Sequence, residues 1–317
     1  MTVGARRVLP MLASGRLVQL HRALDAVRAS CDVAARRRLD PVAFVHRYRA
    51  PLDQELAGLL ASSCAFGNVT TIRAKLDDVG DRLGPELAAI ADNREALCDN
   101  MSGFRHRLYV GEDLALLVYG ARIVQRRFGS LGDAFASFLS DGSTLHDALI
   151  RFVDEVREAS GLVMTGERRG PAHLLPDPRG GSASKRLLLY LRWMVRPADG
   201  IDLGLWPVSP ARLVIPVDVH VHKLATNLGL TQARTPSWRV AEDITDVFRR
   251  FDPEDPVKYD FALCHLGMAG SCSSRFVREV CESCAIRNVC RHGDGSSRRS
   301  STALRVRARV RVGHDDG

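Results

Sequence analysis

Residues 271–290 read SCSSRFVREVCESCAIRNVC and set Cys272, Cys281, Cys284 and Cys290 in a C-x8-C-x2-C-x5-C pattern. The chain has eight cysteines, and the other four are scattered. Cys31, Cys64, Cys98 and Cys264 fall in helical stretches or turns and read as small buried hydrophobes. Clustered thiols in an intracellular chain point to metal rather than disulfides. Four thiolates suit tetrahedral zinc or an iron–sulfur cluster. Structural zinc commonly uses two C-x2-C knuckles, and only one pair here is that tight. The leading expectation is therefore an iron–sulfur cluster of the 4Fe-4S kind, with zinc as the alternative occupant and a metal-free grouping third.

Outward from this segment, the apolar residues recur at helical spacing. Leu17, Leu20, Leu24 and Val27 predict a helix within Ser14–Arg38. Asp53–Leu76 reads as two helices around a Gly67-Asn68 connector. Further helices are predicted over Gly111–Phe128, Thr144–Ser160, Ser184–Val195, Val219–Leu228, Val240–Phe251 and Lys258–Gly267. Asp53, Asp218 and Asp255 stand where N-caps belong. Gly and Pro punctuate Gly161–Ser182 and Arg196–Pro216 too densely for helix. Period-two apolar segments are scarce outside the Arg-Val alternation near the C-terminus. The expectation is an all-α chain: an N-terminal extension over 1–13, a helical body over 14–291 with the cysteine loop at 272–290, and a basic, disordered tail over 292–317.

With 317 residues at 45% hydrophobic and 26% charged, the composition is globular and excludes fibrous or wholly disordered classes. No apolar run reaches the roughly 18–20 residues a membrane helix needs, and LLLYLRWMV is broken by Arg192. The N-terminal stretch lacks the continuous apolar segment of a secretory signal. The expected setting is soluble and cytoplasmic, without a membrane partner. The formal charge is +8, and residues 291–317, with seven Arg and three Asp, supply half of it. Such a balance suits a polyanion, since Lys and Arg displace condensed counterions from phosphates; a solubilising surface accounts for it equally well.

The late cysteines, following an all-helical chain, resemble the iron–sulfur loop of endonuclease III-like helix-hairpin-helix DNA glycosylases. Three upstream stretches support the resemblance in order. ELAGLLASSCAFGNVTTIRAK is similar to the early helix pair near the DNA. LVIPVDVHVHKLATNLGL is similar to the apolar Val-Asp-Thr-His stretch, with Asp218 at the catalytic aspartate and Val219 in place of Thr. DFALCHLGMAGSC is similar to the helix entering the first cluster cysteine. In the hairpin region, PRGGSASKRLLLYL offers Gly180 and Gly181 for the turn and Lys185 at the lyase lysine, although the second hairpin glycine is missing. The 33 residues from Lys185 to Asp218 exceed the usual interval. KRLLLYLRWMVR, GIDLGLW and FDPEDPVKYDFAL mark a microbial branch that brings no activity of its own.

The resemblance implies a two-lobed helical glycosylase-like fold with a C-terminal cluster loop. It further implies a monomeric base-excision enzyme, nucleoid-associated, acting on double-stranded DNA with a damaged or abasic site. Breaking an N-glycosidic bond builds positive charge on the sugar, which a carboxylate stabilises, while an amine can attack C1′ to form a Schiff base. Asp218 and Lys185 take those roles. The amine must be neutral to attack, which a neighbouring cation favours, and Arg186 follows Lys185 directly. Plainer alternatives stand beside these: Asp218 as an N-cap, and Lys185 as a phosphate contact. Base access requires nucleotide flipping. Gly67, Asn68, Gly180, Gly181 and Arg186 are the expected DNA contacts. Trp193, Trp206 and Tyr190 are either stacking residues or, more commonly, core. The competing function is a non-catalytic iron–sulfur nucleic-acid-binding protein, and a third is a zinc-stabilised helical protein.

Overall fold

The computed structural model describes residues 14–140, 142–162, 168–268, 272 and 275–293. The expected extension over 1–13 and the tail from 294 onward lie outside the described residues. The helical periodicity is borne out: the chain is mostly helical, and the strands among the described residues form one two-stranded ribbon. In order, the elements begin with α1 (Ser14–Ala29), α2 (Val33–Leu39), α3 (Val42–Val45), α4 (Pro51–Cys64), α5 (Val69–Leu83), α6 (Leu87–Ala91) and α7 (Arg94–Asn100). The antiparallel ribbon of β1 (Arg105–His106) and β2 (Tyr109–Val110) follows. Then come α8 (Gly111–Phe128), α9 (Leu131–Phe138), α10 (Leu145–Ser160), α11 (Gly170–Leu174) and α12 (Lys185–Val195). The last are α13 (Val219–Leu228), α14 (Trp238–Arg249), α15 (Asp260–Met268) and α16 (Arg278–Cys281).

Several boundaries differ from the sequence expectation, each for a local reason. The long first helix breaks because Asp32 turns out of it and accepts the Ala35 N–H at 2.9 Å, starting α2. Asp53 is not a cap: Pro51 opens α4, and Asp53 sits inside it, accepting the Ala88 N–H at 2.7 Å. Asp255 is not a cap either, since its carboxylate receives Arg196 at 2.9 Å. Asp218 does cap α13.

The contacts divide the chain into two units: residues 32–217 with 236–258, and residues 1–31, 218–235 and 259–317. In the larger unit α4 is the central helix. Leu56, Ala57, Leu59, Leu60 and Ala61 are all buried on it. Gly58 lets α12 approach, for a Cβ there would lie 2.6 Å from Met194 Cε and 3.0 Å from Tyr190 Cε2. Tyr190, Trp193 and Trp206 are buried core residues. The segment after α12 is folded back by charge: Arg192 pairs with Asp202 at 3.1 Å, and Arg196 reaches Asp199, Asp202 and Asp255.

Glu55 joins four helices of this unit. Its buried carboxylate accepts the Gln125 amide of α8 at 2.8 Å and the N–H groups of Leu131 and Gly132, which open α9, at 2.9 Å each. An anion is favoured at that helix end, where the unpaired N–H groups and the macrodipole are positive. The Glu55 backbone carbonyl accepts the Tyr190 hydroxyl of α12 at 3.0 Å. Gly132 is required beside it, because a Cβ would fall 2.6 Å from Trp206 Cδ1.

The smaller unit is built on the buried stripe Leu17, Leu20, Leu24 and Val27 of α1. Arg16 donates to the carbonyls of Leu228 at 3.2 Å and Val289 at 3.3 Å. Tyr259 Oη donates to Asp25 at 3.0 Å. Gly267 of α15 packs on α13, where a Cβ would meet His220 Cβ at 2.9 Å.

The Glu55 arrangement yields a stability test. Burial raises the Glu55 carboxyl above the ordinary carboxylate range, against the pull of the Leu131, Gln125 and Gly132 donors. In the window between those two values the folded chain holds a proton that the unfolded chain has released, so stability falls as pH rises through it. Glu55→Gln turns one acceptor into a donor facing other donors, which costs about 1–3 kcal/mol. Urea unfolding at a series of pH values is expected to show that loss near neutrality and to lack the fall attributed to Glu55. Equal stability, or an unchanged pH dependence, contradicts the assignment.

Candidate nucleic-acid site and thiol centre

The larger unit brings several of the sequence-selected residues to one place, the turn between α4 and α5. Asn68 caps α5 by accepting the Thr71 N–H at 3.1 Å, and Gly67 takes φ +96°. Lys185 is the first residue of α12, and its Nζ donates to the Ala65 carbonyl at 3.2 Å, in this same turn. Gly180 closes a 3-10 turn (Pro178–Gly180), and Gly181 follows in the left-handed region. Ser184 then caps α12 with φ +45°, makes no side-chain cap bond, and keeps a buried hydroxyl with no partner among the described residues. Arg186 is committed internally: it donates to the Ser63 carbonyl at 2.6 Å, the Tyr109 hydroxyl at 2.8 Å and the His173 carbonyl.

The ribbon supplies the rest. Arg105 faces Val110 and His106 faces Tyr109, so Arg107 and Leu108 form the two-residue loop. Arg107 has φ +53°; with Ser184 it is one of two non-glycine residues in the left-handed region among the described residues. Such a conformation costs an L-residue about 1–2 kcal/mol. The Arg107 guanidinium lies 5.4 Å from the centroid of the Phe66 ring, and that of Arg186 5.5 Å. Gly67 makes room for this, since a Cβ would lie 2.2 Å from Arg107 Nη2. An exposed cation–aromatic contact contributes about 0.5–1 kcal/mol. His173 packs against Phe66 at 4.7 Å between centroids, and its Nδ1 lies 2.7 Å from the Tyr109 hydroxyl. Burial, then Arg186, lowers the His173 pKa. Burial, then Arg107, does the same for His106. Both imidazoles are neutral near pH 7, so the local charge comes from Arg107, Lys185 and Arg186. Phe66 is half-buried among these cations.

In the smaller unit Asp218 Oδ1 accepts the N–H groups of His220 and Val221 at 2.8 Å each, and the Cys264 thiol lies 3.8 Å from Oδ2. The last turns of α13 hold the cysteine segment. Lys223 Nζ donates to the Cys272 carbonyl at 2.8 Å, Asn227 Nδ2 to Cys272 Sγ at 3.3 Å, and Arg291 N to the Asn227 carbonyl at 2.9 Å. Val277 N donates to Cys281 Sγ at 3.4 Å. Burial raises the Cys272 thiol, with further increments from Cys290 and Cys284. Cys290 is raised by burial and then by Cys284 and Cys281. Among the described residues, no three His, Cys, Asp or Glu side chains are arranged to hold one metal ion. An all-thiol donor set with N–H groups directed at two of its sulfurs does fit a cluster by its chemistry.

The sequence selected Lys185, Gly67 and Asn68, which the α4–α5 turn gathers. It did not select Phe66, Arg107, Tyr109 or His173. The basic and aromatic run FRHRLYV, set between two helices, was the available sign.

No curated protein matches the chain. No solved structure matches it either. Residues 40–269 match a family described as a protein of unknown function (DUF2400), a stretch that contains Lys185 and Asp218 and ends before Cys272. This corrects the resemblance drawn from the cysteine spacing and the Val-Asp stretch: no endonuclease III-like or helix-hairpin-helix glycosylase family is matched. Spacing in a cysteine loop outside the matched region was too little to carry membership. By the extent of its match, the chain belongs to the DUF2400 family.

Proposed function

We propose that the chain excises damaged bases from double-stranded DNA and cleaves the strand at abasic sites, as a monomeric N-glycosylase and AP lyase of the cytoplasm and nucleoid. The observation that carries this reading is the placement of Lys185: an amine on the first turn of a helix, hydrogen-bonded to the Ala65 carbonyl, in a setting of cations and aromatic rings. Flipped or unpaired nucleotides offer the phosphates and base faces that such a setting binds.

In the proposed reaction the Lys185 ammonium first gives up a proton to solvent, and the amine then attacks C1′ as the glycosidic bond breaks. The base leaves with the bonding electron pair and is protonated. The ring then opens to a Schiff base, and loss of the C2′ proton expels the 3′ phosphate. Asp218 is the carboxylate that offsets the charge developing on the sugar, and its two backbone donors fix its direction. Asp218 also accounts for itself as an N-cap, so the lysine is the sharper test. Borohydride reduction with an abasic duplex is expected to trap wild-type protein and leave Lys185→Gln untrapped. Absence of both an adduct and base release across lesion-bearing duplexes favours the rival reading, a non-catalytic nucleic-acid-binding protein.

Cys272, Cys281, Cys284 and Cys290 are the proposed ligands of a 4Fe-4S cluster. Zinc holds its thiolates about 2.3 Å from one centre, whereas a four-iron cluster takes them further apart. A four-thiol set with a single C-x2-C pair suits the cluster better than the paired knuckles common in structural zinc. The bound group would order the cysteine segment rather than act on substrate. Anaerobically purified protein is expected to be brown and iron-loaded, with iron lost in Cys284→Ser and retained in Cys31→Ser. A colourless, zinc-loaded sample overturns the iron–sulfur assignment.

A further inference from the structure

We propose that Phe66 is a stacking platform for one unpaired nucleobase, covered in the free protein by Arg107, which moves to the adjoining phosphate when the base arrives. The inference rests on the DNA reading above and adds a binding site to it. Phe66 is half-buried, two residues past the end of α4, with exposed Gly67 and Asn68 after it. Two guanidiniums lie against its ring, and they differ in what holds them. Arg186 is fixed by backbone carbonyls and the Tyr109 hydroxyl. Among the described residues Arg107 makes no hydrogen bond or ion pair; its guanidinium lies against the Phe66 ring, in the space that Gly67 leaves.

Three features make Arg107 the group that yields. Its contact with the ring is weaker than a base–aromatic stack. It sits on the exposed loop of a two-stranded ribbon, in a left-handed backbone conformation that movement can relieve. Once off the ring it is an unpaired cation beside Lys185 and Arg186, where the phosphate of a stacked nucleotide would lie. His173 and Tyr109 keep Phe66 in place from other sides, so the ring does not swing away with the guanidinium.

The test uses the full chain and a labelled, lesion-free oligothymidylate, with binding read by anisotropy across a salt series. Phe66→Ala is expected to weaken binding about fivefold or more, and Phe66→Trp to retain it with quenching of the new indole. Arg107→Ala removes both a phosphate contact and a cover. Its slope of log affinity against log salt is expected to fall by about 0.7, and at high salt it is expected to bind more tightly than wild type. A folded Phe66→Ala chain that binds like wild type overturns the platform. Should that variant not fold, an unchanged salt slope in Arg107→Ala does the same. Wild-type protein that traps abasic DNA while Phe66→Ala binding is unaffected removes the platform alone. Wild-type protein that binds no oligothymidylate overturns both readings.

Discussion

A carboxylate taken out of water is tolerated only when donors replace the solvent it loses. Glu55 meets that condition with three donors from two helices, and the geometry of the larger unit follows. Because two of those donors are the first N–H groups of α9, the start of α9 is fixed relative to α4. Because the third comes from Gln125, so is α8. The backbone carbonyl of the same residue, through Tyr190, fixes α12. An apolar residue at position 55 would fill the space but leave those N–H groups unpaired. The turn that follows α4 meets the first turn of α12, where Lys185 donates to the Ala65 carbonyl.

Helical periodicity located most of the fold. The stretches Gly111–Phe128 and Val219–Leu228 appear with the bounds their apolar spacing implies, and Thr144–Ser160 differs only in that Thr144 is the cap. These are amphipathic segments whose buried stripe is written in local sequence. Capping by aspartate was less legible. Asp218 answers to its own helix, while Asp53 and Asp255 answer to Ala88 and Arg196, far away in sequence. A short polar side chain before an apolar run does not reveal which donor will reach it. The helices α6, α7 and α9 are too short for a periodic pattern to stand out, and α9 depends on a glycine whose need is set by Trp206.

The site was legible in its chemistry and not in its assembly. A lysine opening a helix and a Gly-Asn turn could be picked out singly, and the turn gathers them through the Ala65 carbonyl. Arg107 could not be picked out, because its position depends on a left-handed residue that is not glycine. Arg186 carries the same charge as Lys185 but spends it on carbonyl groups, a distinction that only tertiary contacts make. Family membership was the least legible of all. Four cysteines suggested one lineage, while the matched stretch, 40–269, stops short of the first of them.

Helix α13 has an architectural consequence of its own. Its ten residues make a rod about 15 Å long, with Asp218 docked on the leading end and Lys223, Asn227 and the Arg291 contact on the trailing turns. A hydrogen-bonded rod of that length tilts or slides as a body and barely stretches. The same ten residues thus carry the Asp218 carboxylate at one tip and the Cys272 contacts at the other, with Gly267 packed against the first turn.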